Sequence, residues 1–423
     1  MRIKIILIVC FFASNIFSQS AFENYYNGKT LRFDFYHSGD KSTEDIIFSK
    51  MKEEGIWSGS KKNLIDTLRY GNYFFELHDI ESNKVIYSRG FSTLYQEWQT
   101  TEEAKQLNRI FEGSVVMPFP KFKSKIVIFR RDRSNNFISL FEHVIDPASY
   151  FIEKNSVNNF SNFKIHYSGD STQKLDIVFI PDGYSKDEMQ KFRDDCTRLS
   201  GYLFEYSPFD KLKDKINIWG VDAPSDESGT DIPGKNIWAN TQLNSSFYTF
   251  DSERYLMTSS YFKVKDIASN APYDQIYILV NTDKYGGGAI YNFYSLTCVD
   301  NKLTKQVFIH EFGHGLAGLA DEYGNDNTYQ DMYPLDVEPW EVNLTTLVNF
   351  DKKWKNLIDA NTPIPTPSSD EFKNKLGVFE GGGYVAKGVF RPTFNSLMNS
   401  FSSNEFNEVC KKALINVVNF YSE

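Results

Sequence analysis

Residues 304–320 read Thr304-Lys-Gln-Val-Phe-Ile-His310-Glu311-Phe312-Gly313-His314-Gly315-Leu-Ala-Gly318-Leu-Ala320. The stretch offers Thr304 as an N-cap, leads through an apolar entry, Val307-Phe-Ile309, and carries two histidines four positions apart. On an α-helix, positions i and i+4 share one face. Both imidazoles then reach a single zinc ion at about 2.0–2.1 Å, the arrangement behind the H-E-x-x-H pattern. Glu311 stands beside the first histidine, where it takes a proton from metal-activated water without binding the metal. The competing explanation is a helix with two capped or core histidines. Gly313, Gly315 and Gly318 weaken it, because each costs a helix interior about 1 kcal/mol. Close packing or a turn is expected to require them. Just beyond, Asp321-Glu322-Tyr323-Gly324 sets acidic oxygens where the helix should end. A catalytic zinc site needs a third protein ligand in that vicinity.

Upstream of this segment the texture is that of an α/β domain. Leu175-Asp-Ile-Val-Phe-Ile-Pro, Ile216-Asn-Ile-Trp-Gly-Val and Gln275-Ile-Tyr-Ile-Leu-Val read as buried strands. Residues 185–204 read as a helix, with Ser185 as N-cap and Glu188 three positions later. Strands alternating with helices give that fold class. The chain before about residue 150 differs. Leu31-Arg-Phe-Asp-Phe-Tyr, Tyr73-Phe-Phe-Glu-Leu, Lys84-Val-Ile-Tyr and Lys125-Ile-Val-Ile-Phe are short β-branched or aromatic runs. Polar turns such as Ser38-Gly-Asp and Glu81-Ser-Asn separate them, as in a β-sandwich. His37, His78 and His143 stand alone there and are expected to be structural. A break rich in Asn and Ser spans residues 146–162.

The first residues read as an export signal. Arg2 and Lys4 precede an apolar run from Ile5 to Ala13, and Ser18-Gln-Ser20 offers small residues for cleavage. The run is too short to span a bilayer, and no later segment is long and apolar enough to do so. A secreted, periplasmic or cell-surface protein follows as the expectation. With 423 residues the chain is too long for one ordinary core. Its net charge of −9, without a basic block, argues against nucleic acid, which needs a positive footprint. Beyond the leader remain Cys196, Cys298 and Cys410, an odd number that permits no complete disulfide framework. Buried free thiols are expected, and no two lie close enough for a cysteine zinc site.

The run His310 to Tyr323 (HEFGHGLAGLADEY) resembles the signature of the IgA-protease-like M64 metallopeptidases. Asp176-Ile-Val-Phe-Ile-Pro-Asp-Gly-Tyr, Val221-Asp-Ala-Pro-Ser-Asp-Glu-Ser-Gly, Gly286-Gly-Gly-Ala, and Glu380-Gly-Gly-Gly-Tyr leading to Phe390-Arg-Pro agree. The resemblance covers about residues 165–420, and the part before it is similar to that family's β-rich N-terminal domain. It implies a kinship to metzincins, whose methionine turn lies under the zinc, and Ser396-Leu-Met398-Asn-Ser is placed for that turn. The chain departs from the metzincin pattern H-E-x-x-H-x-x-G-x-x-H, since positions 317 and 320 are both Ala. Asp321 falls seven residues after His314 and on a straight helix would sit about 10 Å further along. The chain must therefore turn, at Gly315 or Gly318. Asp321 is the first candidate for third ligand and Glu322 the second. The resulting fold expectation is multidomain: a leader at 1–18, an N-terminal all-β sandwich at 19–150, and an α/β metzincin-like zinc peptidase domain at 151–423.

Two further segments carry expectations. Gly286-Gly-Gly-Ala-Ile-Tyr is either an exposed edge strand that pairs with an extended peptide or a flexible turn. Asp222, Ser225, Asp226, Glu227 and Asp231 form an acidic loop that lacks EF-hand spacing and reads as solvated rather than calcium-binding. The leading function is peptide-bond hydrolysis with one Zn2+, held by His310, His314 and Asp321, and Glu311 as general base, acting on a protein or peptide. The alternative is an inactive secreted binding protein that keeps the scaffold and holds glycan or protein through its β domain. Intact His310, Glu311 and His314 favour the enzyme.

Overall fold

Two four-stranded sheets face each other across an aromatic core in the first third of the chain. The structure is a computed structural model that describes residues 22–154, 160–324 and 333–423. The candidate leader, with Arg2, Lys4 and the cleavage positions Ser18 to Ser20, lies outside the described residues. One sheet holds β1 (Tyr26–Gly39), β2 (Glu44–Ile56), β5 (Arg109–Pro120) and β8 (Ile152–Glu153), in the order β5-β1-β2-β8. The other holds β3 (Tyr73–Asp79), β4 (Val85–Phe91), β6 (Ser124–Arg131) and β7 (Phe137–Ile145), in the order β4-β3-β6-β7. Phe33, Phe35, Trp57, Phe75, Phe91 and Phe119 fill the space between them. A short helix, α1 (Leu94–Trp98), leaves the sandwich capped by Thr93.

The second half is built on a six-stranded mixed sheet. It comprises β9 (Asn162–His166), β10 (Leu175–Asp182), β11 (Ile216–Val221), β12 (Gln275–Val280), β13 (Gly287–Ile290) and β14 (Tyr294–Cys298), in the order β13-β14-β12-β10-β11-β9. β10, β11, β12 and β14 are parallel, and the outer strands β13 and β9 are antiparallel to their neighbours. The central strands are buried at every position, which explains their continuous apolar runs. One face packs under α2 (Met189–Leu203), α4 (Thr304–Ala317) and α5 (Glu408–Ser422), through Ile177, Phe179, Tyr277 and Leu279. Ser185 and Glu188 form the expected capping box, but on a single 3-10 turn that precedes α2.

The opposite face is covered by α3 (Tyr261–Ala268) and by the sandwich itself. Tyr95, Trp98 and Phe111 join Val178, Ile180, Ile276 and Ile278 in one apolar cluster. The contact is also polar. Asp266 on α3 accepts from Arg32 and from Lys52 at 2.7 Å each, and Glu112 accepts from the Phe262 amide at 2.7 Å. A hairpin of β15 (Phe379–Gly382) and β16 (Val385–Arg391) stands apart from the main sheet. Among the described residues, no helix is long and apolar enough to cross a membrane.

Candidate metal centre

The two glycines inside α4 and the one that ends it are all closely packed where a side chain would stand. A Cβ at Gly315 would overlap the Ser295 hydroxyl, and one at Gly313 would press on Phe406 at 3.1 Å and Met398 Sδ at 3.3 Å. Gly318 ends the helix with φ +58° and returns its amide to His314 O at 2.9 Å. Only glycine adopts that left-handed turn without steric cost, and the Trp340 ring lies 2.5 Å from where a Cβ would stand. Thr304 is the first helical residue and not the N-cap: its hydroxyl donates to Cys298 O at 3.1 Å, and Leu303 precedes it without a side-chain cap.

The turn at Gly318 reverses the chain and carries Asp321 back over the two histidines. His310 Nε2, His314 Nε2 and Asp321 Oδ1 form a triangle with edges of 3.1, 3.1 and 3.4 Å. Ligand atoms about 2.0–2.1 Å from a tetrahedral zinc ion lie about 3.3–3.4 Å apart, so the triangle has the size of such a ligand face. Ring protonation agrees. His310 Nδ1 donates to Leu397 O at 3.1 Å, and His314 Nδ1 donates to Leu319 O. A carbonyl only accepts, so both protons are fixed on Nδ1 and both Nε2 lone pairs face inward. Asp321 Oδ1 is buried and receives no hydrogen bond from any described residue. Its other oxygen accepts from Tyr323 OH at 3.1 Å and from Tyr384 OH. Three electron-rich atoms aimed at one point, two nitrogen and one oxygen, fit a divalent cation and suit zinc. Burial pushes the Asp321 carboxyl up, but the adjoining His314 and His310 outweigh it and hold it well below the usual range.

Glu322, the second candidate, points the other way. Its Oε1 accepts from Asn343 Nδ2 (3.0 Å), Asn407 Nδ2 (2.8 Å) and Cys410 Sγ (3.4 Å), and its Oε2 from Ser396 Oγ (2.5 Å). It is fully buried and pins the loops beneath the site. The Glu322 amide donates to Met398 O at 2.8 Å, which sets the turn Ser396–Asn399 under the histidines with Met398 fully buried. Glu311 is partly accessible, and its carboxylate takes no hydrogen bond from any described residue. Burial raises its proton affinity against the opposing pull of His310 and His314.

Tyr384 has no signal in spacing alone. It sits with Gly383 in the two-residue turn between β15 and β16, at φ +67°. A bulky residue is an outlier there. The turn is held by two bonds to the site segment, Gly383 N to Asp321 O (2.8 Å) and Tyr384 N to Tyr323 O (2.9 Å). The glycines of Glu380-Gly-Gly-Gly-Tyr thus serve to bring the tyrosine hydroxyl onto Asp321.

The structure corrects the expectation for Gly286 to Ile290. β13 is an edge strand, but at Gly287 its outer side is taken, because Gly287 O accepts from Leu256 N at 3.4 Å. The glycines are thin spacers. A Cβ on Gly287 would meet Val307 at 2.6 Å and Glu311 Cγ at 3.2 Å, and one on Gly286 would meet Arg254 O at 2.7 Å. In the acidic loop the side chains diverge: Asp222 pairs with Arg193, Asp226 accepts from Asn240, and Asp231 accepts from the Ala239 amide. His37 stacks on Tyr95 and bonds Glu44, His143 stacks on Phe48, and His78 bonds Glu76, all within the sandwich. Cys196, Cys298 and Cys410 are buried and free.

Residues 163–375 and 368–418 match the family described as IgA Peptidase M64, and residues 21–142 match that described as Peptidase M64 N-terminus. No match is found among curated proteins. A solved structure described as a thermostable esterase is 8% identical with a TM-score of 0.15; it covers 59% of this chain, which spans 61% of that structure. A likeness that low carries no argument, whereas the two family matches run through the sandwich, the sheet, the histidine helix and Asp321. This chain belongs to the IgA peptidase M64 family, a family of metallopeptidases.

Proposed function

We propose that this protein is a secreted zinc endopeptidase, organised as a leader at 1–18, a sandwich at 19–150 and a catalytic domain at 151–423. The observation that carries the proposal is the convergence of His310 Nε2, His314 Nε2 and the donor-less Asp321 Oδ1 beside an unbonded Glu311. His310, His314 and Asp321 would hold the ion. When bound, zinc supplies Lewis acidity, which makes water a nucleophile near neutral pH and polarises the scissile carbonyl. Leu397 O and Leu319 O hold the imidazoles in the one tautomer that leaves Nε2 free. Tyr323 and Tyr384 occupy Asp321 Oδ2 and so direct Oδ1 to the ion. Met398 lies under the histidines as a metzincin-like methionine turn. Glu311 accepts the proton of the attacking water and returns it to the departing amine. Its raised proton affinity suits a base that must carry a proton briefly and give it up.

The test is side-by-side zinc analysis, thermal melting and hydrolysis of a denatured protein for wild type and Glu311→Gln. Glu311→Gln keeps size and hydrogen bonding but cannot take the proton. The expected result is about one zinc per chain in both, internal cleavage abolished by chelator in wild type, and a loss of turnover of about 10²–10⁴-fold in the variant. Metal-free wild type that responds to no chelator would overturn the reading.

A further inference from the structure

The permanent cation whose charge acts on the candidate base is Arg254, and its segment is seated with more care than a surface loop needs. Tyr255 forms a parallel bridge with Gly287, and Leu256 N donates to Gly287 O. Gly286 lets the Arg254 backbone approach, and Gly288 lets the Tyr255 ring and Met257 Sδ approach, with gaps to a Cβ of only 2.5–2.7 Å. On its inner side, Gly287 lies directly on Val307 and Glu311 of α4. The three glycines therefore form one thin layer between Glu311 below and residues 254–257 beside it. Tyr255 is further tied by its hydroxyl to Glu97 on α1 of the sandwich.

The Arg254 side chain is exposed and forms no salt bridge with any carboxylate among the described residues. Burial of its inner part works against its charge, but Tyr323, Tyr285, Asp321 and Tyr384 around it more than compensate. Those tyrosines include both that bond Asp321. The guanidinium also acts on the Glu311 carboxylate. An unpaired cation beside a dication site opposes metal binding by simple Coulomb repulsion. With no described carboxylate in direct ion pairing with it, the guanidinium is left free to meet a negative charge that arises during the reaction.

We propose that Arg254 is a catalytic residue, whose guanidinium donates to the carbonyl oxygen of the scissile peptide bond as that oxygen becomes negative. The inference rests on the peptidase reading above. As water attacks, a bond forms between its oxygen and the carbonyl carbon, and the water's proton passes to Glu311. The π pair of the C=O bond moves to the carbonyl oxygen, which becomes an oxyanion facing Arg254. On collapse that pair restores the C=O bond, the C–N bond breaks, and the nitrogen takes the proton from Glu311. Arg254 neither gains nor loses a proton, which suits a group that stays charged throughout. Donors placed for developing charge act on turnover more than on substrate binding.

The experiment compares wild type, Arg254→Met and Arg254→Lys. Readouts are kcat and KM on neutral and on acidic peptides, zinc content, melting temperature, and the inhibition constant of a phosphinic peptide, whose tetrahedral oxygens mimic the oxyanion. Arg254→Met is expected to lower kcat by about 10²-fold with KM little changed. Phosphinic affinity should fall in parallel with kcat/KM, and Arg254→Lys should restore part of both, with zinc content and melting unchanged. Unchanged kcat in Arg254→Met, or a loss confined to acidic peptides and read in KM, would overturn the proposal. A wild type that cleaves no peptide would instead overturn the peptidase reading.

Discussion

Replacing Glu322 by Ala should destabilise the protein without removing a metal ligand. Three strong donors, Asn343 Nδ2, Asn407 Nδ2 and Ser396 Oγ, and the weak Cys410 thiol converge on the carboxylate. A buried donor left without an acceptor costs about 1–3 kcal/mol. Asn343 Nδ2 keeps Ala320 O at 2.8 Å, and the Ser396 hydroxyl can rotate, so only Asn407 loses its acceptor fully. The expected cost is therefore that of one orphaned donor, about 1–3 kcal/mol. At about 2–4 °C per kcal/mol for a domain of this size, melting should fall by about 2–12 °C. Glu322→Gln is the control. Its amide oxygen serves Asn343 and Asn407 while its NH2 donates to Ser396 Oγ, so a loss of about 1 kcal/mol is expected. Calorimetry and a zinc titration of Glu322→Ala, Glu322→Gln and Asp321→Ala decide the matter. Zinc should be retained at saturation by both Glu322 variants and lost in Asp321→Ala. The reverse pattern, or melting of Glu322→Ala within about 2 °C of wild type, would refute the division of labour between these neighbours.

Gly318→Ala forces a left-handed alanine, at about 1–2 kcal/mol, and drives its methyl into Trp340. Both melting temperature and zinc affinity should drop, and a variant that melts with wild type would be contrary evidence. Tyr384→Phe removes one donor from Asp321 Oδ2 and should weaken zinc binding by about 10–100-fold with melting of the metal-free protein little changed. Lys265 is buried against the sandwich, and burial pushes its ammonium down to about 8 against the opposing pull of Glu54. Below that pH both folded and unfolded forms are charged and the penalty is complete; it fades as pH rises from about 8 towards the unfolded value of about 10.4. Lys265→Met should thus melt higher than wild type at pH 7, with the gap narrowing by pH 10; parallel curves would count against this.

The histidine helix and the central strands were legible because their periodicities are strong. The sequence-derived bounds of β11 and β12 match the structure, since each is a mainly apolar run, broken only by Asn217 or opened by Gln275, and buried at every position. β2, β5 and β7 carry no comparable signal. β2 reads Glu44-Asp-Ile-Ile-Phe-Ser-Lys-Met-Lys-Glu-Glu, and much of it faces solvent, so its place is set by pairing with β1. The helix glycines were visible as an anomaly, but which one turned the chain was not, because Gly315 and Gly318 differ only in what packs against them. Tyr384 escaped for a related reason. It reaches Asp321 from 63 positions away, through a tight turn whose partners lie in another segment. The edge-strand expectation failed at Gly287 because a sequence shows three glycines but not the segment at 254–257 that needs the room.

The sandwich also reaches the metal centre, by three independent routes. Asn72 Oδ1 accepts from Trp340 Nε1 at 3.1 Å, Trp340 covers Gly318, and Leu319 just beyond fixes the His314 ring. Ser92 N donates to Tyr291 O at 3.0 Å, while Gly90 O accepts from Asn292 Nδ2 at 2.8 Å, and the Asn292 amide closes on Gly315 O at 2.9 Å. Glu97 holds Tyr255, which flanks the glycine layer against Glu311. Each route ends on a different part of the candidate site: His314, the helix backbone between His314 and the Gly318 cap, and Glu311. Burial raises the Glu97 carboxyl to about 7, despite the Tyr255 hydroxyl and His314 pulling it down, so this group serves to hold Tyr255 rather than to carry surface charge. A helix with two interior glycines, Gly313 and Gly315, is intrinsically weak, by about 1 kcal/mol at each. The geometry it must hold is a ligand triangle 3.1–3.4 Å on a side. A small domain clamped against its far end, its flank and the wall of its base supplies rigidity that the helix cannot generate from its own sequence. That accounts for a sandwich with no catalytic cluster of its own being packed directly onto the sheet.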